Sequence, residues 1–102
     1  MMYFIATKLE EDPTTEEGKV KYEDFINAVT SLGAWSDRLG QTWLVESKLS
    51  ASRIRSLLKP HLSNKERVFV GQFSQNWAGF NMGPNFPKWI KRRDFDIPGT
   101  KK

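Results

Sequence analysis

The densest set of potentially reactive side chains in this sequence is the acidic run Glu10-Glu11-Asp12, placed immediately before Pro13. Carboxylates grouped in this way can hold a magnesium ion, which phosphodiester cleavage often requires. Glu10 and Asp12 are therefore the candidate catalytic residues. The competing reading of three adjacent acids beside a proline and a helix start is capping and solubility. Other catalytic chemistry finds little support. The single histidine, His61, follows Pro60, and no acid is spaced to orient it, so it reads as a helix-end residue making a local hydrogen bond. There is no cysteine, which removes thiolate nucleophiles, cysteine-zinc sites and thiol redox chemistry together. One histidine and no cysteine would leave zinc only carboxylates, which it disfavours. Neither a phosphate-cradling glycine loop nor a GxSxG serine elbow is present. No metal site is assigned and no cofactor is expected, magnesium entering only with a nuclease reading.

Basic and aromatic residues interleave more suggestively. The formal net charge is +4, but from Met1 to Glu46 nine acids face four bases, whereas from Ser47 to Lys102 three acids face twelve bases. Such a division suggests a bipolar surface with one side open to phosphates, against the plainer reading of solvated faces. Arg38, Lys48, Arg53, Arg55 and Lys59 flank a hairpin and the helix after it. Lys91, Arg92 and Arg93, with Lys88, surround Trp89. Phosphate contacts beside stacking surfaces are what nucleic-acid binders combine, so these cations, with Lys8, are the candidate phosphate-binding residues.

Short elements must position these groups. Tyr3 to Leu9 (YFIATKL) reads as a strand buried on both faces, ended by the acidic turn. Thr14 with Glu17 three residues on is a capping-box pattern. Tyr22, Phe25, Ile26, Val29 and Leu32 then recur at helical spacing until Gly33, with Gly18 weakening the first turn. Ala34–Arg38 and Gln41–Glu46 form a hairpin around Leu39-Gly40, with Trp43 and Val45 on one face and Thr42, Leu44 and Glu46 on the other. Ser50 caps a helix that buries Ile54, Leu57 and Leu58 and is cut short by Pro60. Arg67–Phe73 (RVFVGQF) is a fourth strand. The loop QNWAGFNMGPNFP and a brief basic helix, Lys88–Arg93, follow.

The order strand, helix, strand, strand, helix, strand predicts an α+β, ferredoxin-like βαββαβ fold: an antiparallel sheet, two helices on one face and a short C-terminal extension. Its 102 residues make a single domain over 1–96, with 97–102 a flexible tail. Two helices leave the other sheet face uncovered, and a homodimer is the economical cover. Trp77, Phe80, Phe86 and Trp89 are the expected contact residues, although at least two of the four tryptophans should serve the core. No apolar run reaches the ~18 residues of a membrane span and the start MMYFIATKL lacks a signal-peptide pattern, so a cytoplasmic protein with no membrane partner is expected.

The opening YFIATKL, the hairpin GAWSDRLGQTWLVES, the helix LSASRIRSLLKPHL, the strand RVFVGQF, and WAGF followed by a Trp-containing segment together resemble the CRISPR-associated protein 2 family, in its SinR-like branch. The resemblance spans about Met2 to Ile90, and Thr-Trp-Leu-Val-Glu-Ser with the following Leu-Ser and Pro-His-Leu is its most specific part. It implies a ferredoxin-like homodimer with nucleic acid at the dimer surface. In the family's nucleases an aspartate at the end of strand one, one per subunit, holds a divalent metal; here Lys8 stands at that position. Facing ammonium groups repel a cation and favour a phosphate, so the resemblance with this departure implies a nucleic-acid binder without metal-dependent nuclease activity.

Two other readings stay open. One is a metal-dependent endoribonuclease or endodeoxyribonuclease using Glu10 or Asp12, Glu10 lying two residues beyond Lys8 on the same strand face. The other is a binder of a small nucleotide or a protein partner, in phage defence or its evasion.

Overall fold

A computed structural model describes residues 1–10 and 15–95. The readings made at Glu11, Asp12, Pro13 and Thr14, and the tail 97–102, lie outside the described residues. The elements are β1 (Met2–Lys8), α1 (Glu16–Thr30), β2 (Trp35–Ser36), β3 (Thr42–Glu46), α2 (Ala51–Leu58) with a 3-10 turn Lys59–His61, β4 (Arg67–Phe73) and α3 (Phe86–Lys91). The first six major elements follow the ferredoxin-like βαββαβ order, and α3 is the C-terminal extension. The sheet runs β2-β3-β1-β4 with every neighbouring pair antiparallel.

The alternation of β1 separates two cores. Tyr3 and Ile5 face the helices and pack with Trp43 and Val45 of β3, Phe25 and Val29 of α1, and Ile54 and Leu58 of α2. Phe25 meets Trp43 edge to face at 5.6 Å, an arrangement the aromatic quadrupoles favour. The Tyr3 hydroxyl donates to the Leu49 carbonyl at 2.6 Å, which satisfies the one polar atom this ring brings inside. Met2 points the other way, into a second cluster with Phe86, Ile90 and Phe95. The chain's own C-terminal segment therefore covers one half of the sheet face that sequence reasoning leaves to a partner.

Local details depart from expectation at several points. The cap of α1 is Thr15, whose hydroxyl accepts from the Gly18 amide at 3.0 Å, and the helix begins at once rather than at Gly18. Leu57 is exposed, because α2 has only eight residues and buries the i, i+4 pair Ile54 and Leu58. β2 shrinks to two residues: past Ser36 the chain turns away at Asp37–Gly40. Gly33 at the α1–β2 junction has φ +156°, and a Cβ there would overlap the Glu46 carbonyl oxygen, so only glycine lets this strand come close to β3. Among the described residues no helix is long and apolar enough to cross a membrane.

Candidate nucleic-acid interface

The half of the far sheet face not covered by α3 carries the most unusual side chains. Lys8 on β1 lies directly across from Arg67 on β4, and Ala6 lies across from Phe69. Phe69 is 66% exposed. Phe4, on the same face by alternation, leans over β4 where Gly71 offers no side chain; a Cβ at Gly71 would sit 2.5 Å from the Phe4 Cζ. Lying there, its ring stacks with Phe69, with centroids 5.9 Å apart and planes 28° from parallel. The Lys8 ammonium is 3.7 Å from the Glu10 carboxylate, and both side chains are well exposed, so the pair adds little stability.

Glu66 anchors this end of the sheet. Its side chain is only 3% exposed, and it accepts from the Ser63 amide at 2.8 Å and the Glu10 amide at 3.0 Å, with the Lys21 ammonium 3.6 Å away. The carboxylate ties the exit of β1 to the entry of β4, which holds Lys8 and Arg67 at one edge.

The other candidate cations occupy different surfaces. Ser50 caps α2 by accepting from the Arg53 amide at 3.2 Å, and burial of Ile54 and Leu58 leaves Arg53, Arg55 and Lys59 in solvent on the helical side. Lys48 is exposed ahead of that helix. Lys8 and the α2 arginines are thus on opposite faces of the sheet, whereas sequence reasoning groups them as one surface. Arg38 lies beside α3, lining a cleft of about 380 Å³ with Trp35, Asn85 and Trp89. Lys88, Lys91 and Arg92 are exposed on or just after α3.

Arg93 has a structural post. Its guanidinium donates to Glu46 at 3.3 Å and to the Trp89 carbonyl at 3.1 Å, and its Cζ lies 5.0 Å from the centroid of the Trp89 ring. The same Glu46 carboxylate accepts from the Asp94 amide at 2.6 Å. These contacts clamp the C-terminal segment to β3, pair the guanidinium with a carboxylate and leave its side chain mostly buried, which makes Arg93 a poor phosphate contact.

The aromatic residues expected at a dimer contact also divide. Phe86 is buried in the second core, 5.8 Å from half-buried Trp89 and edge-on to Trp77 at 5.9 Å, while Trp77 and Phe80 are exposed. Between the Trp77–Met82 loop and the sheet lies an apolar pocket of about 430 Å³ walled by Phe4, Leu44, Phe73, Trp77 and Phe80.

Among the described residues no group of three or more His, Asp or Glu side chains could hold a metal ion. Glu10 faces the Lys8 ammonium, and its expected companion Asp12 lies outside the described residues. His61 is the last residue of the 3-10 turn and half-buried, and its imidazole makes no hydrogen bond with a described residue.

Sequence reasoning missed Phe4, Phe69, Arg67 and Gly71. The signal was present in the alternation of YFIATKL and RVFVGQF, since the positions opposite Tyr3 and Ile5, and opposite Val68 and Val70, hold these residues. Compared with known proteins, the chain matches no family model, no curated protein and no solved structure.

Proposed function

We propose that this protein binds nucleic acid as a homodimer, in the manner of a relative of CRISPR-associated protein 2, and does not cleave it with a metal. One observation carries the reading. Lys48, Arg53, Arg55, Lys59, Arg67, Lys88, Lys91 and Arg92 are all exposed, and none forms a salt bridge with a described carboxylate. These unpaired cations lie on more than one surface of the fold, and together they give the chain an uncompensated positive charge that attracts a polyanion, whose release of counterions supplies the affinity. Lys8 at the end of β1 favours phosphate over metal in the same region. Of the residues expected at a dimer contact, Trp77 and Phe80 are exposed and available to a second copy.

The test is direct binding of fluorescein-labelled single- and double-stranded RNA and DNA at about 50 mM salt, once with magnesium and once with a chelator. The expected result is the same binding in both and intact probes after prolonged incubation. Cleavage that needs magnesium and disappears in Glu10→Gln would establish the nuclease instead. No binding to any probe would leave a small ligand in the apolar pocket as the better reading.

A further inference from the structure

Two features of the bare half of the sheet work against the isolated fold. Like charges directly opposite one another on neighbouring strands destabilise a sheet, and Lys8 and Arg67 are such a pair. A phenylalanine two-thirds exposed on an edge strand gains little from folding and invites association. Phe69 is nonetheless extended by a second ring, that of Phe4, whose tip reaches over β4 at Gly71.

Resting on the nucleic-acid reading above, we propose that this surface is a stacking platform for unpaired bases of a single strand, with Phe69 and Phe4 as the rings and Lys8 and Arg67 on the flanking phosphates. Both features are then resolved by one ligand. Every base presents a π-face, so stacking tolerates any sequence, and the phosphates on either side neutralise the cation pair. A duplex keeps its bases stacked on each other and offers the rings nothing. This departs from the family dimer, in which the ends of strand one meet: with Lys8 and Arg67 here, two platforms face to face would bring four cations together in a desolvated interface, so the second copy is assigned to exposed Trp77 and Phe80. The Lys8–Glu10 contact does not compete, since an exposed pair 3.7 Å apart is easily exchanged for a phosphate.

The experiment compares Phe69→Ala and Phe69→Tyr with the unaltered protein, using labelled 15-mers of deoxythymidylate and uridylate and a 15-base-pair DNA duplex as probes. Phe69→Ala should weaken both single-strand complexes about tenfold, leave the duplex within about twofold, and leave the thermal unfolding curve in place because Phe69 is exposed. Phe69→Tyr keeps the π-face and should restore single-strand affinity. Single-strand affinity unchanged in Phe69→Ala but reduced in Arg53→Ala/Arg55→Ala would overturn the platform while leaving the nucleic-acid reading intact. Absence of binding by the unaltered protein to all three probes would overturn both. A dimer that becomes monomeric in Phe69→Ala, by light scattering, would assign the rings to a second copy and also overturn the platform.

Discussion

Trp43→Ala is expected to destabilise the protein by about 3–5 kcal/mol, the usual cost of removing a large aromatic side chain from a core. Trp43 is 2% exposed, fills the space between β3 and α1, and holds Phe25 edge-on. No neighbour can collapse into the void, since the surrounding Tyr3, Ile5, Val29 and Ile54 sit on rigid elements already packed on one another. For a chain of 102 residues this corresponds to a fall in midpoint temperature of roughly 15–30 °C. Chemical denaturation with an unchanged slope would measure it. A loss below about 1 kcal/mol would place the indole outside the core.

Phe86→Ala carries the second large effect and separates the two roles of the C-terminal segment. Phe86 is 6% exposed and joins Met2, Ile90 and Phe95 in the second core, so the variant should lose about 3 kcal/mol at any protein concentration. Phe80, 86% exposed, should behave in the opposite way: Phe80→Ala leaves the unfolding free energy of the dissociated single chain within about 0.5 kcal/mol and shifts the light-scattering mass from twice 11.8 kDa towards the single chain. Dissociation caused by Phe86→Ala without loss of monomer stability would return Phe86 to the subunit contact.

Periodicity made the fold legible. The apolar run YFIATKL, the alternation in TWLVE and the helical recurrence of Phe25, Ile26 and Val29 predict a sheet with helices on one face, and the short connections leave few topologies. The second core was hidden for a physical reason. Phe86 and Ile90 belong to a six-residue helix whose burial depends on where the preceding loop, turning through Asn81 and Gly83 at positive φ, happens to land it. No local pattern encodes that landing. Arg93 looked like one more cation in a basic run, because its partner Glu46 lies far away in sequence. The candidate surface was obscured in the same way. Lys8 and the α2 arginines share a sign but not a side of the sheet, and Phe4 reads as core until Gly71 is seen beneath its ring.

The most direct test of nucleic-acid recognition is the salt dependence of binding to a labelled single strand. A strand held at about four phosphates should show a slope near −3 when the logarithm of the association constant is plotted against that of salt concentration, so affinity falls roughly 50-fold between 50 and 200 mM. That steep decline is the expected result. Binding that does not change with salt, or no binding at 50 mM, would contradict the account.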